Sequence, residues 1–498
     1  MSDATPGFPP SPPDPERPAT VGGQIFRRRW RLLLSLALAT VLVAGTGAYF
    51  VLRDAGPSHP KEWDARIKPY VEIVEKERGL EFDHPVEVRF LGKKAFEKTL
   101  RTDKLELDKD ERRDIDETTS LFRAFGLISG DADLFEAFND ATGAGALAYY
   151  SFDDRTITVR GTKLTLASRA ILVHELTHAL QDQKFDVVDR TEKLAKKSKD
   201  GEPTTERDAL SAIIEGDAER VANLYRESLS TKERTTLEKA EAGDRSDAKE
   251  ALEDIPKVVT TLMGAPYALG RAVVEIVAAV DGDDVDALFE DPPPDDSVLL
   301  DPLKALGDID DPADVKIPAL AGGEKKFDSG QVGSLVTYLM LAERIPLREA
   351  LAAADTWKGD AYVGFKRKGV LCARVDYATA SDQEATRLES AFDDWTAADP
   401  SSSATVSRDG ERVTFESCDP GKDAKLTNDA SEDALGLAAS RGYLGLSVVR
   451  AGAPARVAQC FADRMIDEFS VAQLTDPDFG KDDPASLARV QGYAADCR

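Results

Sequence analysis

The sequence predicts an α+β fold, mainly helical up to about residue 365 and mixed beyond it. Three observations carry this. Apolar residues recur at helical spacing through long segments such as 165–183 and 205–229. Residues 148–160 alternate around Asp153-Asp154-Arg155, as a short antiparallel hairpin does. From about Gly369 strand-like runs enter, and all four cysteines, Cys372, Cys418, Cys460 and Cys497, lie past that point. With 498 residues, 42% of them hydrophobic, the chain has material for two or three domains with real cores. The boundaries expected are a tail over 1–31, an anchor over 32–52, a larger domain over 60–365 and a smaller one over 366–498.

Taken in order, residues 1–31 are rich in proline and small residues and read as a disordered tail. Residues 32–52 run 21 positions without a charge, about 31 Å as a helix, which matches a bilayer core. Arg27, Arg28, Arg29 and Arg31 precede this span and only Arg53 follows closely, so the positive-inside rule keeps the tail cytoplasmic and places the rest outside the cell membrane. The competing reading is a signal peptide cleaved near Thr46-Gly47-Ala48, which would release a secreted protein. Next, 63–77 reads as a helix and 85–91 as a strand, with helical sequence to about 138. The hairpin leads straight into helix 165–183, which Thr165 or Ser168 is able to cap.

Between this helix and the one at 205–229, residues 186–206 carry Lys193, Lys196, Lys197 and Lys199 and are expected as a surface loop. The charged stretch 231–254 reads as a solvated helix, and 266–280 is apolar enough for burial. Pro292-Pro293-Pro294 forms a turn, and helices are expected over 330–355. Strand 370–377, amphipathic helix 382–397, a hairpin at 404–418 through Asp409-Gly410 and a strand at 443–449 follow. Residues 455–497 read as helical, with Phe461, Met465, Ile466 and Phe469 as a core stripe.

The chemistry concentrates in His174-Glu175-Leu176-Thr177-His178. With four histidines in 498 residues, a chance match to this pattern is expected roughly 0.003 times. Residues i and i+4 share a helix face, so both imidazoles can reach one metal ion with Glu175 beside them. Zinc accepts imidazole nitrogen and in catalytic sites keeps a position for water, whose proton Glu175 is placed to take. A third ligand must come from elsewhere, and Glu215 is the first candidate. Ala212, Glu215, Ala218 and Ala222 share one face of the second helix, where small side chains permit close approach. Gly216 costs about 1 kcal/mol relative to alanine inside a helix and makes better sense beside another backbone. Asp217 and Glu219 are rival ligands, either of which could instead hold a histidine from behind, and Asp182 could orient His178.

These segments resemble the gluzincin class of zinc metallopeptidases, which take two histidines from HExxH and a glutamate from a later helix. More narrowly, they resemble a group of exported, membrane-anchored bacterial zincin-like proteins, over roughly residues 63–362. The matching stretches are 173–183, Glu215-Gly216-Asp217-Ala218, the hairpin, the proline-rich turn and Trp357-Lys358-Gly359-Asp360-Ala361-Tyr362. In those relatives the turn ends Leu-His-Pro, where this chain has Leu300-Asp301-Pro302. The resemblance implies a zincin-like core that hydrolyses peptides, with His174, His178 and Glu215 holding Zn2+ and Glu175 as the catalytic base. It also implies that the hairpin's edge strand holds an extended peptide substrate. Tyr150, Tyr225, Tyr267 and Arg271 are candidates to stabilise the tetrahedral intermediate. The alternative is an inactive zincin-like surface protein that binds or supports a partner.

Charge and cysteines bound the setting. Residues 1–31 carry five arginines against three acids, which leaves −29 of the total −27 on the remainder. That exterior argues against nucleic acid as a partner. An even number of cysteines beyond the anchor, with no CxxC, fits two disulfides in an oxidising space. Cys372–Cys418 is the expected first pair, since both end apparent strands of one unit, and Cys460–Cys497 would tie the terminal helices. Four buried free thiols are the alternative.

Overall fold

The computed structural model describes residues 59–497 except 102–106, 144–145, 153, 200–203, 281, 283, 308, 400–402, 475 and 477–483. The tail and anchor expected over 1–52 lie outside the described residues. Helix α1 (Lys68–Arg78) leads into strand β1 (Glu87–Leu91), then α2 (Lys93–Leu100), α3 (Lys109–Ala124) and α4 (Leu134–Gly143). The expected hairpin forms as β2 (Ala148–Ser151) and β3 (Thr156–Arg160), paired antiparallel with Tyr150 opposite Ile157. β1 pairs with β3 in parallel, so the sheet is a mixed three-stranded one in the order β1-β3-β2 rather than a purely antiparallel one. A parallel partner needs a long crossover, here the three helices α2–α4, which local alternation does not reveal.

Helix α5 (Leu166–Phe185) begins at a capping box between Thr165 and Ser168, so both predicted caps take part. An amphipathic helix was expected, yet every residue from Leu172 to Asp182 is buried. Elements therefore surround α5 on all sides, and its polar residues must find partners inside the protein. The expected loop at 186–206 is instead largely helix α6 (Val187–Lys199). Val187 is buried, Val188 and Leu194 pack on the core, and Arg190 donates to the Glu290 carbonyl at 3.0 Å. Three apolar residues at helical spacing outweigh the solubility of the lysines.

Helix α7 (Glu206–Ser228) is followed by α8 (Thr231–Ala251), whose start is capped by Ser230 and Glu233, and by α9 (Lys257–Val280). Among the described residues, α9 is the one helix long and apolar enough to cross a membrane, but 56% of that stretch is buried. It is the spine of the protein. Val258, Leu262, Leu269 and Val273 join one hydrophobic cluster, while Val274 and Val277 join the cluster containing Leu172, Leu176, Ile213 and Ile214. Gly216 explains its place here. A Cβ on Gly216 would lie 2.3 Å from the Gly270 carbonyl carbon, and one on Gly270 would lie 1.8 Å from the Ala212 carbonyl oxygen. Only paired glycines let α7 and α9 cross this closely.

Short helices α10 (Asp284–Glu290) and α11 (Ser297–Leu300) precede β4 (Lys325–Gly330), α12 (Ser334–Ala342) and α13 (Leu347–Ala354). Strands β5 (Gly359–Arg367) and β6 (Val370–Ala378), helix α14 (Asp382–Ala398), then β7 (Thr405–Asp409) and β8 (Arg412–Cys418) complete a five-stranded antiparallel sheet ordered β4-β5-β6-β8-β7. The boundary expected at 365/366 falls inside β5. The strand expected at 443–449 is the last part of helix α15 (Ser431–Arg450), in which Leu446 and Val449 are buried at helical spacing. Helices α16 (Ala455–Glu468), α17 (Val471–Leu474) and α18 (Pro484–Asp496) end the chain. Both expected disulfides form. Cys372 faces Cys418 across β6 and β8, and Cys460–Cys497 joins α16 to the residue after α18.

The two remaining motif segments both hold the start of α12. Asp296, after the proline turn, accepts from the Ser334 and Leu335 amides (both 3.0 Å) at the start of α12 and from the Thr205 hydroxyl (3.2 Å) ahead of α7. Asp360 accepts from the Val332 and Gly333 amides (2.6 and 2.8 Å) and from the Trp357 indole (2.8 Å). Carboxylates at helix N-termini are stabilised by unpaired amides and the helix dipole. This buried knot fixes where α7 begins, and hence the height of Glu215 against α5.

Candidate metal centre

His174, His178 and Glu215 come together at the crossing of α5 and α7, their ligand atoms all within 4.8 Å of one another. His174 Nε2 and His178 Nε2 are 3.0 Å apart, and Glu215 Oε2 lies 3.2 and 3.3 Å from them. Four ligands at 2.0–2.1 Å on a tetrahedron stand ~3.3 Å apart, so this triangle fits one such ion. Two imidazole nitrogens turned on each other inside a protein otherwise have to share a proton. The cluster could hold a metal ion, and all three side chains are buried.

Each histidine is held from behind. Gln181 donates through Nε2 to the Ile214 carbonyl (3.0 Å) and to Asp217 Oδ2 (2.9 Å), both pure acceptors, which fixes the orientation of its amide. Its Oε1 therefore faces His178, and His178 Nδ1 donates to it at 3.0 Å. That tautomer leaves the His178 Nε2 lone pair pointing at the cluster. Asp217 is itself anchored by Arg78 Nε at 2.8 Å. Glu219, one turn past Glu215, stands 3.6 Å from His174 Nδ1. Neither rival of Glu215 is placed as a ligand: Asp217 holds Gln181, and Glu219 backs His174. Asp182 does not reach His178. It accepts instead from the Tyr150 hydroxyl at 2.9 Å and pairs with Arg155 at 3.3 Å. Gln181, three residues past His178, is the supporting residue that sequence reasoning missed; its spacing was the available signal.

The electrostatics follow from burial and proximity. Burial disfavours a charged His174, but Glu215 and Glu219 outweigh it and raise its pKa to about 10. Burial likewise opposes ionisation of Glu215, yet the two histidines hold it down to about 2. Glu175 is pushed up by burial, against the pull of His174 and His178. Its Oε2 accepts the Tyr150 amide at 2.6 Å, from the free edge of β2. Glu175 is thus a buried carboxyl beside the cluster, anchored on a backbone amide of the hairpin.

The other candidates separate by position. The Tyr267 ring stacks on His174 at 5.9 Å, and its hydroxyl pKa is raised well above normal by burial and by Glu215 and Glu175. Tyr150 spends its hydroxyl on Asp182. Tyr225 packs edge-on against Tyr70 at 6.1 Å, and Arg271 donates to Glu275 at 2.5 Å. His59 and His84 stack on each other at 4.2 Å and stand apart from the cluster. Asp301 sits among Arg441, Lys304, Asp355 and Asp463, none of them a cluster residue. No protein-family model, curated protein or solved structure matches the chain.

Proposed function

We propose that this chain is a zinc metallopeptidase of the gluzincin type, exported and held at the cell membrane by residues 32–52. The observation that carries the reading is the convergence of two imidazoles and one carboxylate from neighbouring helices, with Glu175 between the histidines in sequence. His174, His178 and Glu215 would hold the ion. When bound, zinc acidifies a water molecule and polarises a peptide carbonyl. Glu175 takes the proton of the attacking water and returns it to the leaving amine. The free edge of β2 offers backbone hydrogen bonds to an extended substrate, and the Tyr150 amide already points from that edge toward Glu175. Tyr267, whose ring stacks on His174, is our candidate to donate to the oxygen that gains charge in the transition state. Two disulfides fit an extracytoplasmic setting.

Asp301, where the resembling proteins have histidine, sits among Arg441, Lys304, Asp355 and Asp463. The test is Glu175→Gln in the purified full chain, with zinc content and cleavage of a peptide library measured together. The variant should retain zinc and lose hydrolysis. Zinc bound by the native protein with no cleavage of any peptide would favour an inactive surface protein instead.

A further inference from the structure

A second feature borders the metal centre. A cavity of about 420 Å³ opens between the first turns of α5, the outer face of α7, helix α8 and Leu147. Two of its lining residues tie it to the chemistry. Ile171 lies one turn before His174 and Glu175, and Glu219 is the carboxylate backing His174. Leu147 directly precedes β2, three residues from the Tyr150 amide that reaches Glu175. At about 3.3 Å per extended residue, a peptide along β2 would set a side chain into this cavity two or three positions from the bond facing Glu175.

The lining defines what fits. Leu147, Ala167, Ile171 and Ala248 form apolar walls. Glu219 and Glu241 share Arg226, at 3.1 and 3.2 Å. Arg245 approaches Glu241 only to 3.9 Å and its side chain is 71% exposed, so water holds most of its charge. Asp244 is half-buried on the cavity wall, and among the described residues no cation or donor meets its carboxylate. Among the described residues the lining thus carries three carboxylates against two guanidiniums, with one acid left over. A lysine or arginine would lay its methylene stem on the apolar walls and bring its cation to Asp244. An apolar side chain would desolvate Asp244 without compensation, and an acidic one would add a like charge.

We infer that this cleft is a specificity subsite for a basic side chain in the peptide substrate, with Asp244 as the selecting residue. The inference rests on the peptidase reading and adds the substrate class to it. A charge-assisted contact of this kind corresponds to about tenfold or more in kcat/KM. Position-scanned fluorogenic peptides should therefore be cut about tenfold faster with Lys or Arg than with Ala at one position near the scissile bond. Asp244→Lys should reverse that order in favour of Asp and Glu. Cleavage without a basic preference, or a preference that Asp244→Lys leaves unchanged, overturns the subsite while leaving the peptidase reading intact. Absence of any cleavage overturns the peptidase reading instead, and binding then decides the subsite. Anisotropy with labelled peptides on Glu175→Gln protein should show Lys peptides bound more tightly than Glu peptides, with the order reversed by added Asp244→Lys. Equal affinities would overturn the subsite.

Discussion

Replacing Gly270 by alanine should force α7 and α9 apart and disturb the metal cluster with them. The new Cβ would stand 1.8 Å from the Ala212 carbonyl oxygen and 2.5 Å from its carbonyl carbon. Ordinary Cβ contact begins at 3.4 Å, so the backbones must separate by about 1.6 Å (3.4 − 1.8) along that line. Both clashing atoms belong to main chain inside a helix, and no side chain can swing aside. Overpacking costs ~1–3 kcal/mol, and a rigid backbone clash belongs at the upper end, about 3 kcal/mol. The better helix propensity of alanine returns ~0.8–1.0 kcal/mol, which leaves a net loss of about 2 kcal/mol. Glu215 sits one turn from Ala212, and metal–ligand distances tolerate only ~0.2 Å, so zinc affinity should fall as well. Gly243→Ala in α8 is the matched control, because nothing lies within 4 Å of its added Cβ. It should stabilise by up to ~1 kcal/mol. Urea unfolding of both variants, with a chelator competition for zinc, makes the comparison. A Gly270→Ala protein as stable as the native one would refute the proposed helix crossing.

Zinc uptake should release about one proton at pH 7, because the ion displaces the proton that Glu215 and Glu219 hold on His174 up to about pH 10. Apparent affinity should then rise about tenfold per pH unit between about pH 7 and 10; a chelator competition showing no pH dependence would sink this. In the zinc-free protein the same raised pKa contributes stability that is complete below the unfolded value of ~6.5. That stability is lost as pH rises through about 10, so thermal melts should decline toward alkaline pH. Gln181→Ala should weaken zinc binding by ~10–100-fold while Asp182→Asn changes it little, as read by calorimetric titration; the reverse order would contradict the hydrogen bonding at His178. Removing the Cys460–Cys497 bridge, whose partners are 37 residues apart, should cost ~2–4 kcal/mol in unfolding experiments and leave zinc content unchanged. Zinc loss would show that the terminal helices support the metal centre.

The local parts of this protein were written in the chain. His174, Glu175 and His178 share a face because a helix repeats every 3.6 residues, and Thr165 caps that helix by chemistry confined to its first turn. Glu215 was legible as a partner of the two histidines because it lies among alanines beside a glycine that only a close neighbour explains, although that neighbour proved to be α9. Other features depended on residues far apart in sequence. The lysine-rich segment 187–199 became a helix because Val187, Val188 and Leu194 had a core to join. Residues 443–449 continued a helix because their apolar residues met α9 and the chain after α11. Gln181 took the role expected of Asp182 because Tyr150 and Asp217 arrived from other elements to engage them. Periodicity fixes which face a side chain occupies, since that is set by the backbone it is attached to. What stands opposite that face is set by packing, and only the folded chain decides it.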